Sequence, residues 1–358
     1  MRQRLIPAMP DAGKRRWWGN GLVLLVSGLL IAFAVLYVRY QQFLQQPLAV
    51  PADGLVYAVK SGSSLAGLAN ELRQLGVIDQ PRFLTLLGRE LNAAHRLQAG
   101  EYRLGPDMMP RELMQALVDG DVIQYSQTII EGQTFRELLA AIRTNDAITA
   151  TLESGNDDEI MVVLGHPDEH PEGRFLPDTY YFPRGTTDVE FLQRAYAATE
   201  QQLASTWQDR EKDLPLENPY QALILASIVE KETGRTDERP RIAGVFIQRL
   251  RKGMRLQTDP TVIYGMGEDF DGNIRRRDLQ TDTPYNTYTR SGLPPTPIAM
   301  PGIDALQAVL HPDENGYLYF VARGDGSHYF SRALQEHNMA VKKYQLGQSH
   351  ISLPDAEQ

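Results

Sequence analysis

The chain of 358 residues contains no cysteine. Disulfides, thiolate nucleophiles and cysteine-ligated metals are therefore excluded, although the absence fits either side of a membrane. Basic charge is in deficit: 36 Lys and Arg stand against 45 Asp and Glu, a net charge of −9. Nucleic acid is not expected as a partner, because phosphate binding needs a clustered basic face. No serine sits in a Gly-x-Ser-x-Gly elbow, and no Gly-rich phosphate loop occurs. His311, His328 and His337 follow no standard zinc spacing. No metal and no cofactor are expected. Apolar residues make up 42% of the chain, enough for a sizeable core spread over two or three domains.

Charge is missing altogether from residues 17–38. A helix across a bilayer needs ~20 mostly apolar residues, and this run is long enough. Trp17, Trp18 and Tyr37 stand where interfacial aromatics belong. Lys14, Arg15 and Arg16 precede the run, with Arg2 and Arg4 further out, whereas Arg39 and the polar Gln41, Gln42 and Gln45 follow it. This asymmetry predicts a single-pass helix with residues 1–16 cytoplasmic and the body outside the cytoplasm; the expected location is the inner (cytoplasmic) membrane with the body periplasmic. A cleaved signal peptide fits less well, because the run exceeds a usual signal core and no small-x-small site follows promptly.

Residues 39–53, with Pro47 and Pro51, read as a stalk. The text then alternates strand and helix signals. Residues 55–59 read as a strand, Ser64 heads an amphipathic helix, Pro81 opens a second, residues 100–104 read as another strand, and Pro110 opens a third helix. The strand–helix–helix–strand order resembles a LysM-type glycan-binding module over residues 54–124. Beyond it, Thr134 is a helix-cap candidate, residues 155–159 read as a polar loop, and residues 172–183 as a Gly/Pro-punctuated aromatic segment more suited to packing than to a sugar face. The fold class expected is α+β: a transmembrane helix, a small α+β module, and a mixed α/β catalytic domain over residues 125–347. Residues 348–358 remain a tail with no assignment.

The most informative stretch begins at Tyr220. Residues 221–229 are apolar almost all round, as in a buried helix, and they deliver Glu230-Lys231-Glu232-Thr233-Gly234, with Gly234 as a natural stop. Burial and the negative end of the helix dipole both disfavour a charged carboxyl. Both push its pKa upward, as a general acid near neutral pH requires. The bland alternative has both glutamates at the surface, paired with Lys231 and Arg235. Residues two apart point to different faces, and periodicity does not choose between Glu230 and Glu232. Downstream lie a polar turn at Gln257-Thr258-Asp259-Pro260, the Tyr285-Asn286-Thr287-Tyr288 run, the stiff Gly292-Leu293-Pro294-Pro295 segment, and Asp304 as a further cap candidate. Amides, carboxylates and rings on rigid loops suit a saccharide site.

These residues resemble the membrane-anchored endolytic murein transglycosylases, the MltG or YceG-like family. The matching text is Ala226-Ser227-Ile228-Val229-Glu230-Lys231-Glu232-Thr233, Leu256-Gln257-Thr258-Asp259-Pro260-Thr261-Val262, Tyr285-Asn286-Thr287-Tyr288, Pro177-Asp178-Thr179-Tyr180 and His337-Asn338. The resemblance implies a cut at the MurNAc–GlcNAc β-1,4 bond of nascent peptidoglycan strands, with 1,6-anhydro-MurNAc ends. It also implies that polymerisation ends there, beside peptidoglycan synthases as partners. Related lytic transglycosylases and goose-type lysozymes carry a catalytic Glu followed by Ser at a helix end. Glu232-Thr233 is similar, which implies Glu232 as the catalytic group and Glu230 as an accessory carboxylate. By the same match, Gln257, Asp259, Tyr285, Asn286 and Tyr288 would line the cleft. A hydrolytic muramidase and a non-catalytic scaffold for wall synthases are the alternatives.

Overall fold

The computed structural model describes residues 12–353 apart from 154 and 314. Most of the expected cytoplasmic stretch, including Arg2 and Arg4, lies outside the described residues, as do 354–358 of the tail. The side chains of Lys14, Arg15, Arg16, Trp17 and Trp18 are likewise not described. The fold is mixed α+β, in two compact units, Met1–Gln124 and Tyr125–Gln358.

The first unit begins with α1 (Ala12–Leu44). Its portion Leu22–Leu44, mean hydropathy 2.4, is the one helix among the described residues long and apolar enough to cross a membrane. Side chains from Leu22 to Arg39 are exposed, and burial begins at Tyr40. A surface this apolar with no protein over it is compatible with a single-pass membrane helix. The residues expected as a stalk instead pack on this unit's core. Tyr40, Phe43 and Leu48 are buried with Leu72, Leu84 and Leu87. The Tyr40 hydroxyl donates to Glu90 at 2.8 Å. The Leu48 and Ala49 N–H groups reach the Met108 and Val77 carbonyls, each at 2.9 Å. Burying three large apolar side chains outweighs the freedom of an extended tether.

The module continues with β1 (Leu55–Val59), α2 (Leu65–Gln74), α3 (Pro81–Glu90), β2 (Gly100–Leu104) and α4 (Pro110–Asp119). β1 and β2 pair antiparallel, Leu55 opposite Leu104. Ser64 accepts the Gly67 N–H and caps α2, and proline opens both α3 and α4, where its missing N–H costs no helix bond.

The second unit runs β3 (Gln124–Thr128), α5 (Phe135–Arg143), β4 (Ile148–Thr149), α6 (Asp157–Leu164), β5 (Thr179–Pro183), β6 (Thr186–Thr187) and α7 (Asp188–Gln208). β3 pairs with β5, and β4 runs parallel to β6. Thr134 and Glu137 close a capping box on α5. The polar stretch expected as a loop from 155 to 159 instead starts α6. Asn156 caps it, and Asp157, Asp158 and Glu159 favour the positive end of its dipole. The aromatic segment packs: Tyr180 and Phe182 set their rings edge-on to Phe191 at 5.4 and 5.8 Å.

The remaining elements are α8 (Pro219–Glu232), α9 (Arg239–Arg251), α10 (Asp259–Met266), α11 (Arg276–Gln280), α12 (Ile303–Leu310), the hairpin β7 (Tyr319–Ala322) and β8 (His328–Ser331), and α13 (Leu334–Tyr344). α8, α9 and α12 share one core, and residues 222–229 of α8 are all buried. Gly244 lets α9 approach the loop after α12, because a Cβ there would lie 2.1 Å from the Asp313 carbonyl oxygen. Two expected stops differ. α8 ends because Thr233 turns extended at φ −148°, without Gly234 taking a left-handed cap. Gly302, not Asp304, precedes α12; Asp304 falls inside its first turn, where a carboxylate favours the dipole without capping.

Candidate active site

The last turn of α8 places its two glutamates in different surroundings. Glu230 is turned inward, its side chain 5% exposed, and meets the equally buried Arg239 guanidinium at 2.7 Å. Its second oxygen accepts the Gly302 N–H at 3.0 Å. Arg239 also reaches Glu131 at 3.3 Å. Burial pushes the Glu230 pKa up, opposed by the Gly302 N–H and Arg239. Every oxygen is thus engaged by a fixed partner, and the pair ties α8 to α9 and to the start of α12. The surface pairing weighed from sequence does not occur: Lys231 donates to the Gly132 carbonyl at 3.0 Å, and Arg235 pairs with Asp237 at 2.7 Å.

Glu232 borders a cleft of about 520 Å³. Thr258, one residue before α10, donates its hydroxyl to the carboxyl. The carboxyl's pKa is raised from an ordinary 4.5 to about 7. Burial is the main cause and the Asp259 charge adds to it, while the Thr258 hydroxyl and the Arg249 guanidinium work against it. A carboxyl poised there holds a proton near neutral pH and can give it up and take it back.

Gln257, Asp259 and Tyr288 line the same cleft. The Tyr288 hydroxyl donates to Asp259 at 2.6 Å, so the phenol and carboxylate form one wall. Gln257 has φ 51°, a strained value for a residue with a side chain, and its N–H is held by the Thr287 carbonyl at 3.2 Å. Tyr285 and Asn286 do not join that lining. The Tyr285 hydroxyl pairs with Thr296 at 2.9 Å and its ring packs against Tyr264. Asn286 is 1% exposed. Its amide donates to the carbonyls of Asp278, Leu279 and Thr281, and its oxygen accepts the Tyr288 N–H at 2.8 Å. Asn286 therefore shapes the loop that presents Tyr288, and as placed it does not offer itself to a ligand.

The sequence profile of the YceG-like family matches residues 57–343. The chain belongs to the YceG-like family. It is 33% identical over 307 residues to an endolytic murein transglycosylase of Bacillus subtilis, covering 80% of this chain and 83% of that one. It is 26% identical over 360 residues to an endolytic murein transglycosylase of Streptococcus pneumoniae, spanning 89% of this chain and 65% of the relative's length. The crystal structure of a yceG-like protein of Listeria monocytogenes is 30% identical and covers 81% of this chain and 100% of its own, with a TM-score of 0.49.

This YceG-like cleft also contains residues that sequence reasoning passed over. Arg249 lines it, with Nε on the Leu318 carbonyl at 2.7 Å and Nη1 on the Leu256 carbonyl at 2.8 Å, so it is held in place and acts on Glu232 as a counter-charge. Tyr319 and His328 from the hairpin and His337 from α13 also line it. Outside the lining of this cleft, Glu172 is a further buried carboxyl, 3% exposed and raised to about 7 by burial. It accepts the Phe135 N–H at 2.9 Å and the Tyr264 hydroxyl at 3.1 Å, joining α5 to α10. The only signal for it was Glu172-Gly173-Arg174 ahead of the aromatic segment.

Proposed function

We propose that this chain is an endolytic murein transglycosylase in which Glu232 is the general acid and then the general base. The observation that carries the reading is a single cleft carboxyl whose pKa is raised to about 7 at the end of a buried helix. Protonated Glu232 gives its proton to the oxygen of the MurNAc–GlcNAc bond, and the C1–O bond breaks. The resulting carboxylate takes the proton of the MurNAc 6-hydroxyl as that oxygen bonds to C1. The proton returns to Glu232, no water is consumed, and one strand end leaves as the 1,6-anhydro sugar. Paired carboxylates, the usual glycosidase arrangement, are not needed if the sugar's own N-acetyl group steadies C1. Glu230 is assigned a structural place, because its oxygens are held by Arg239 and Gly302. Gln257, Asp259 and Tyr288 are assigned to substrate contact, while Tyr285 and Asn286 are assigned to support the loop behind them.

In this reading α1 is a single-pass anchor with the second unit on the periplasmic side, and newly made strands beside their synthases are the substrate. The βααβ order and antiparallel pair of the first unit support a LysM-like glycan-binding module. The test is the mass of the products from uncross-linked murein strands. Ends lighter by one water than reducing sugar are expected. Reducing ends would make the enzyme a hydrolase, and no cleavage at all would favour a scaffold.

A further inference from the structure

We infer that His328 is a substrate-binding residue of this cleft, accepting through Nε2 a hydrogen bond from a hydroxyl or amide N–H of the bound glycan. The inference rests on reading the Glu232 cleft as the glycan site. His328 opens β8 and lines the same cleft as Tyr288 and Asp259. Its ring is held by Glu238, a carboxyl 7% exposed just before α9. Glu238 takes both the His328 backbone N–H at 3.0 Å and Nδ1 at 2.7 Å. Among the described residues its carboxyl has no other hydrogen-bond partner. A carboxylate only accepts, so Nδ1 carries the hydrogen, and in the neutral form of the ring the lone pair is then on Nε2.

The ring cannot readily turn away from this arrangement. Phe320 stands edge-on to it, with centroids 5.5 Å apart and planes at 86°, and Phe330 flanks it at 6.4 Å. Nε2 has no protein partner among the described residues, and it is the polar edge left over for the cleft. Burying a carboxyl is costly unless its partner is well placed. Here the buried carboxyl fixes which nitrogen carries the hydrogen and how the ring lies. A histidine kept for packing alone would need neither. His337 is arranged differently: it stacks on Tyr319 at 5.2 Å, and its Nδ1 is buried without a hydrogen-bond partner among the described residues. An acceptor in one cleft with Asp259 and Gln257 suits a ligand rich in donors, as the hydroxyls and acetamido N–H groups of an amino-sugar polymer are.

The test uses the full chain in detergent, with Glu232→Gln as the parent to stop turnover, titrated calorimetrically with purified uncross-linked murein glycan strands. His328→Asn places its amide where Nδ1 lies, so it keeps the Glu238 bond and vacates the Nε2 position. His328→Gln does the reverse. Strand affinity is expected to fall roughly threefold to tenfold in the Asn variant, the worth of one hydrogen bond, and to stay within about twofold in the Gln variant. Equal affinities, or the Gln variant weaker than the Asn variant, would overturn the inference, since a merely structural histidine would be better replaced by Asn. Strand cleavage by the parent would instead bring down the cleft reading, and the inference with it.

Discussion

Replacing Glu172 with Gln should leave stability almost unchanged at pH 4 and raise it at pH 8. The carboxyl bridges the Phe135 N–H and the Tyr264 hydroxyl with almost no exposure. Gln keeps its shape and mimics its neutral form. Burial raises its pKa from an ordinary 4.5 to about 7. Between those values the unfolded chain has released this proton and the folded one still holds it, so stability falls as pH rises. At about 1.4 kcal/mol for each pH unit, the difference approaches about 3 kcal/mol and levels off above pH 7. Comparing the variant with the wild type at each pH cancels the other carboxyls. Urea unfolding can be followed through Trp207, the one tryptophan of the second unit. A gap that opens between pH 4.5 and 7 is expected. Curves that stay parallel from pH 4 to pH 8 would refute the claim that this carboxyl is neutral in the folded state.

Other consequences are equally direct. The pH profile of kcat/KM should fall as pH rises through about 7, where Glu232 loses the proton it must donate. Thr258→Val removes the hydroxyl that holds that carboxyl down, so the descending limb should move to higher pH; a limb that stays in place or moves lower would contradict the role given to Thr258. Arg239→Ala leaves Glu230 buried without its cation. It should cost roughly 3–5 kcal/mol in urea unfolding at pH 8, whereas a loss below about 1 kcal/mol would place the pair among weak surface bridges.

The parts legible in the sequence were those with strong local physics. An uncharged apolar run announced α1, proline and serine caps announced the helices of the first unit, and the apolar face of residues 221–229 announced the buried helix that carries the glutamates. The parts hidden were those that depend on partners distant in the chain. Glu230 and Glu232 look alike in one dimension. Their surroundings differ only because Arg239 comes from α9 and Thr258 from the turn before α10. Tyr285 and Asn286 sit in the same short run as Tyr288, yet packing turns them to Thr296 and to the loop carbonyls. His328 was unreadable because its meaning lies in Glu238, ninety residues away. The supposed stalk misled because Tyr40, Phe43 and Leu48 are apolar at irregular spacing, which local periodicity does not recognise.

The central claim concerns which of two neighbouring carboxyls moves the proton. Release of fragments from uncross-linked murein strands by Glu232→Gln and Glu230→Gln, each with its fold checked by circular dichroism, tests it most directly. The account predicts that Glu232→Gln loses activity by roughly a hundredfold to ten-thousandfold, while folded Glu230→Gln keeps most of its turnover. Wild-type cleavage by Glu232→Gln, or a folded but inactive Glu230→Gln, would contradict it.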